Sequence, residues 1–142
     1  MMKVIVVSGA HSNVGKTQLA RALRDLLPGA VRIKIGHHAR KPGGDGYYYH
    51  MGTRFSAIAA EHRNARFLVI ESNSILEEIT PDCVIYLQAE DPKPSAEVAV
   101  NKADIIRGEP VTDAKISELS ERLECDETTV RKIAELSGAV KE

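Results

Sequence analysis

At 142 residues, 43% hydrophobic and 27% charged, the chain can bury one core and leaves no room for a second independent domain. The formal charge is −1, yet residues 1–60 hold nine Lys/Arg against two acids, a net +7, leaving the remainder at −8; an anionic ligand is therefore expected on the amino-terminal half. Its apolar runs are only strand-length and no cleavable leader precedes the first of them, so membrane insertion and secretion are not expected and a cytoplasmic location is.

Val4-Ile5-Val6-Val7-Ser8 reads as a first buried strand. It runs directly into Gly9-Ala-His-Ser-Asn13-Val-Gly15-Lys16-Thr17, and Gln18 to Leu27 follows with Leu19, Ala20, Leu23, Leu26 and Leu27 at helical spacing, closed by Pro28-Gly29. A glycine-bearing loop between a strand and a helix is a phosphate cradle. Its N–H groups turn inward, the helix adds its positive dipole end, Lys16 reaches the terminal phosphates, and the Thr17 hydroxyl can hold Mg²⁺. Gly9, Asn13, Gly15 and Gln18 complete the expected nucleotide-contacting set. Five residues rather than four separate Gly9 from Gly15. With Val14 before Gly-Lys-Thr, the loop resembles that of dethiobiotin synthetase and the cobyrinate amidating synthases more than that of small signalling GTPases.

Val31 to Ile35 predicts a second strand, Gly36 to Gly46 a polar loop, and Met51 to Arg63 a helix through Phe55, Ile58, Ala59 and His62. Phe67 to Ile70 predicts a buried strand ending at Glu71, Cys83 to Leu87 another, and Ala96 to Val100 one more, ending at Asn101. This alternation implies an α/β fold, a doubly wound, mostly parallel sheet of the P-loop NTPase kind over residues 1–107, with ligands at the carboxyl ends of the strands. Residues 108–142 read as a short C-terminal helical appendage, its two amphipathic helices falling within 113–137. The appendage resembles the middle of a helix-turn-helix module, with Thr128, Thr129 and Arg131 on the second helix. A negative net charge and only two helices favour instead a hairpin packed on the core or on a partner. Cys83 and Cys125 match no metal or redox spacing and read as buried thiols.

Four groups of residues carry chemistry. Glu71, at a strand end, is the candidate acid for Mg²⁺, and Lys34, near the end of the second strand, can reach a phosphate or an acidic substrate. Asn101-Lys102-Ala-Asp104 matches the guanine-reading pattern, in which the aspartate accepts from N1–H and the 2-amino group, donors that adenine lacks in that arrangement. Between Gly36 and His50 lie His37, His38, Arg40, Lys41, Asp45 and Tyr47 to Tyr49. No standard metal-ligand spacing appears there, and an organic or phosphorylated second ligand, stacked on tyrosine and held by Arg40, Lys41 and the histidines, is the expected use.

The loop Gly9-x5-Gly-Lys-Thr, the run Ile33-Lys34-x-Gly-His37-His38, the run Pro-Gly-x-Asp45-x-Tyr-Tyr-x-His-x-Gly and a strand ending in Glu71 together resemble the molybdopterin-guanine dinucleotide biosynthesis protein B (MobB) family over about residues 1–106. The resemblance implies a dimeric GTP-binding protein with weak GTPase activity that assists molybdenum cofactor biosynthesis, with a pterin as second ligand and a molybdenum-cofactor enzyme as partner. It implies phosphate binding at Gly15, Lys16 and Thr17, Mg²⁺ at Thr17 and Glu71, and a second-ligand role for Lys34 and Asp45. Gln18, Gly46, Tyr48 and the Ser72-Asn73 pair stand where the family carries other residues. Two alternatives follow from the same residues: an ATP-dependent carboxylate-activating ligase of the dethiobiotin type, and a nucleotide-responsive regulator with a DNA-binding tail.

Overall fold

A computed structural model describes residues 2–36 and 46–141. In chain order the elements are β1 (Lys3–Gly9), α1 (Lys16–Leu26), β2 (Ala30–Gly36), β3 (Tyr47–His50), α2 (Phe55–Glu61), β4 (Phe67–Glu71), a 3-10 turn (Ser74–Glu77), β5 (Cys83–Leu87), α3 (Ala96–Lys102), β6 (Ile105–Ile106), β7 (Pro110–Val111), α4 (Asp113–Leu123), α5 (Glu127–Leu136) and β8 (Val140–Lys141). Six strands form one parallel sheet in the order β3-β2-β4-β1-β5-β6, and β7 pairs with β8 separately.

β1 is apolar along its length because both its faces are covered. Ile5 and Val7 pack with Leu19 and Leu23 of α1, and Val4 and Val6 with Ile58 of α2, Leu76 and Ala99 of α3. From β1 the chain crosses to β2 on one side, whereas β4 leads across β1 to β5 on the other. The carboxyl end of β1 is thus the point where the winding reverses, which opens a crevice in a doubly wound sheet. α1 starts there.

One expected strand is a helix. Ala96 to Val100 forms α3, with Ala96 and Ala99 buried three residues apart, a spacing that a five-residue apolar run cannot distinguish from a strand by periodicity. The last strand of the sheet is β6, beyond it. β3 forms between the expected loop, Gly36 to Gly46, and the expected helix from Met51, where three consecutive tyrosines suit a pleated edge. The expected helix from Met51 shortens to Phe55–Glu61.

The C-terminal helices form as expected and each begins with a side-chain cap. Thr112 Oγ1 accepts from Lys115 N at 3.0 Å, and Asp126 Oδ1 from Thr129 N at 2.7 Å. Ile116, Leu119 and Leu123 of α4 and Val130 and Ile133 of α5 are buried in the same cluster as α1. Arg131, on the exposed side of α5, pairs with Asp113 at 3.2 Å. No helix among the described residues is long and apolar enough to cross a membrane.

Because the hairpin shares the core of α1, Leu119→Ala, at a fully buried position, is expected to cost about 2–5 kcal/mol. Chemical denaturation followed at β-sheet and helix wavelengths should show one transition shifting as a whole. A sheet that melts unchanged while only helix signal is lost would contradict this coupling.

Candidate functional site

The loop after β1 closes tightly on itself. A Cβ at Gly9 would lie 2.5 Å from Val14 Cγ1 and 3.3 Å from Lys16 Cγ, so only glycine lets Val14 bury and the lysine stem fold back. Asn13 (φ 64) and Gly15 (φ 108) both take the left-handed conformation, turning the chain into α1. Gly15 caps α1 with no side-chain cap bond among the described residues, and the first turn carries no acid. The N–H groups of that turn therefore remain available to an anion.

Residues from three other segments hold the loop. Asn73, just past β4, accepts from Gly9 N at 3.0 Å and donates to Gly9 O at 2.9 Å. Lys93, in the segment after β5, donates its backbone N–H to Ala10 O at 2.7 Å and its ammonium to Ser12 Oγ at 3.3 Å. Arg107, just past β6, donates to Val14 O at 2.8 Å. None of these three was expected as a site residue, because each lies in a different loop and matches no motif; Asn73 and Arg107 are polar residues two positions and one position beyond an apolar strand, whereas Lys93, six positions past β5, carries no such signal.

Lysines converge on the loop. Burial first, then the charges of Lys34 and Lys93, push the Lys16 ammonium below the ordinary lysine range, and Glu71 only partly offsets them. Lys34, on β2, stands in register with Glu71 on β4 and Tyr48 on β3. Such a group of like charges is stabilised by a polyanion.

The acid lies beneath. Thr17 Oγ1 donates to Glu71 Oε1 at 2.6 Å, and Arg32 Nη1 donates to Glu71 Oε2 at 2.6 Å with both side chains 1% exposed. Arg32 in turn lies directly under Gly46, where a Cβ would come 2.6 Å from its Nη2. These groups fit Mg²⁺: a hydroxyl whose proton goes to a carboxylate keeps its lone pairs for a hard cation, and the carboxylate can reach the cation's water shell.

The remaining expected residues fall elsewhere. Asn101 and Lys102 end α3, and the Lys102 ammonium donates to Leu76 O. Asp104 Oδ2 accepts from Val84 N at 2.8 Å, and Oδ1 accepts from Arg122 at 2.8 Å and Lys115 at 3.4 Å. It sits beside Val84 at the start of β5, whereas the loop from Gly9 to Thr17 leaves β1 level with Leu87 at its end, about 10 Å further along the sheet. The guanine contact expected of Asn101, Lys102 and Asp104 is therefore corrected to a structural role, in which Asp104 fastens α4 to the amino-terminal edge of the sheet. Tyr47 lies on the edge strand, its ring edge-on to His62 at 4.5 Å, and Gln18 is exposed on α1. His37, His38, Arg40 and Asp45 lie outside the described residues. A cleft of about 380 Å³ opens at the opposite end of β1 and β4, beside Lys3, Arg66 and Glu124. There Lys3 is paired with Glu124 at 3.0 Å.

Since both partners are buried, Arg32→Met is expected to lower stability by about 3–5 kcal/mol by stranding the Glu71 carboxylate. Arg32→Met combined with Glu71→Gln should recover part of that loss in urea denaturation; a double variant no better than the single one would remove the pair as the cause. Compared with protein-family models, with curated proteins and with solved structures, the chain matches none.

Proposed function

We propose that the chain binds a nucleoside triphosphate with Mg²⁺ on the loop from Gly9 to Thr17 and hydrolyses it slowly, as a GTP-binding protein similar to the MobB family, acting as a dimer in molybdenum cofactor biosynthesis. The observation that carries the reading is the Thr17–Glu71 hydrogen bond at 2.6 Å under a loop whose lysine is crowded by two others. It joins the start of the helix, where phosphates are held, to the acid that would hold the metal's waters.

The chemistry of this chain is electrostatic. Inward N–H groups and the α1 terminus orient the polyphosphate, while Lys16 meets the charge that develops on the transferred phosphoryl group. Thr17 and Glu71 would hold Mg²⁺, which when bound neutralises charge on the phosphate oxygens. Arg32 and Arg107 are engaged with protein groups, and charge stabilisation alone gives slow turnover. The purine is assigned to the loops after β5 and β6, at the carboxyl ends of the strands, since Asp104 is committed to the opposite end. Lys34 faces the second ligand.

A second reading is a ligase that uses a nucleoside triphosphate to activate a carboxylate. Two lysines beyond Lys16 favour it, since an acidic co-substrate would need them; tight ATP binding with no preference for guanine would select it.

Lys16→Ala should weaken triphosphate binding about 100-fold by calorimetry, with the fold intact by circular dichroism; undiminished affinity would end the proposal. The pH dependence has a definite sign. The folded pKa of Lys16 lies below its unfolded value, so the folded state carries an unfavourable charge that is relieved as pH rises through the folded pKa. Pyrophosphate affinity should fall over that same window, beginning at lower pH than for an ordinary lysine. Lys34→Ala with Lys93→Ala should move the fall upward; a profile unmoved by both would exclude their charges as the cause.

A further inference from the structure

In a loop that cradles an anion, the peptide planes must be oriented. A trans peptide points its C=O and its N–H in opposite directions, so each N–H turned toward the anion leaves a carbonyl turned the other way, and that carbonyl needs a donor. The Val14–Gly15 peptide is such a plane, and the donor on its carbonyl is Arg107 Nη1 at 2.8 Å. The same guanidinium donates through Nη2 to Gln88 O at 2.7 Å, so one planar group spans the phosphate loop and the end of β5.

Arg107 is itself fixed from the far end of the chain. Its backbone N–H donates to Tyr86 O and its carbonyl accepts from Gln88 Nε2 at 2.6 Å. Its stem lies against Gly138, the residue that turns the chain out of α5: a Cβ there would come 2.9 Å from Arg107 Cγ, and φ at 138 is +82. Gly108 N donates to Gly138 O at 2.9 Å, and Val140 N to Glu109 O at 2.9 Å, completing the clasp between the arginine's segment and the tail.

We propose that Arg107 is a positioning residue for the phosphate loop, holding the Val14–Gly15 peptide so that the Gly15 N–H faces away from the arginine and into the loop, and that the C-terminal turn at Gly138 sets Arg107 in place. The tail is then an element of polyphosphate affinity without touching the ligand. The proposal rests on the reading of residues 9–17 as a phosphate loop, and it makes the contribution of Arg107 independent of the base.

Three variants test it: Arg107→Ala, Arg107→Lys and Gly138→Ala. Amide hydrogen exchange in the unliganded protein is expected to accelerate over residues 10–16 in Arg107→Ala, with β1 and α4 unchanged. Affinity for inorganic pyrophosphate and for GTP should fall by the same factor, about tenfold. Arg107→Lys, able to reach one carbonyl rather than two, should retain part of it. Gly138→Ala should reproduce the pattern of Arg107→Ala, and with Arg107→Lys it carries the test should Arg107→Ala fail to fold. Exchange over 10–16 that is unchanged, or GTP affinity that falls while pyrophosphate affinity does not, would overturn the proposal. If the wild-type protein binds neither pyrophosphate nor any triphosphate, the phosphate reading fails by itself, and faster exchange over 10–16 in Arg107→Ala would still establish the fastening.

Discussion

The carboxylate of Glu71, held between the Thr17 hydroxyl and the Arg32 guanidinium, is the contact on which the site depends. It joins the first turn of α1 to the end of β4 and the middle of β2, three elements that the chain reaches at widely separated points. A carboxylate taken out of water at this depth is tolerable only because both its oxygens have charged or polar donors. Once they do, the start of α1 has a fixed position relative to the sheet, and the loop before it has a fixed span to cross. The shape of that loop is then decided by sterics: Gly9 admits Val14 and the Lys16 stem, and two left-handed residues bring the chain round.

Around this frame the loop is fastened by donors and acceptors from the segments that follow β4, β5 and β6, namely Asn73, Lys93 and Arg107. All three segments leave the carboxyl ends of their strands, which is where a parallel, doubly wound sheet gathers its loops. The lysines on and beside the loop raise its positive charge, and they do so at some cost, since Lys16 holds its proton less tightly than a solvated lysine. A cation cluster that is unfavourable when empty and favourable when a polyanion is present is suited to binding by charge. The opposite edge of the sheet has a different character. There Asp104 gathers Arg122, Lys115 and the N–H of Val84, a network that holds α4 to the sheet. One end of the strands thus gathers unneutralised lysines around the loop, and the other spends its charges on cohesion.

Much of the fold could be read from the residues. Apolar runs bounded by turn residues identified β1, β2, β4 and β5, and the spacing of Leu19, Ala20 and Leu23 identified α1. The exceptions have local reasons. Ala96 to Val100 is too short and too rich in alanine for its period to decide between helix and strand, and the three tyrosines of β3 join the sheet only because β2 offers them an edge. Asn101-Lys102-Ala-Asp104 misled for a related reason: a tetrapeptide fixes side-chain chemistry but not the end of the sheet at which it lies, and a helix in place of the expected strand reverses that end.

The amino-acid order by itself determined the alternating α/β class and the strand–loop–helix unit at the amino terminus, and it singled out Lys16, Thr17 and Glu71, because these follow from local periodicity, from groups close together in sequence and, for Glu71, from a carboxylate at the end of an apolar strand. Only the tertiary structure decided that Arg32 lies buried against Glu71, that Lys93 and Arg107 hold the loop, that Asp104 serves cohesion, and that the last turn of the chain packs against Arg107. Those contacts join residues tens of positions apart, and their partners are chosen by strand order and by the burial of charge, neither of which is encoded within any short window of sequence.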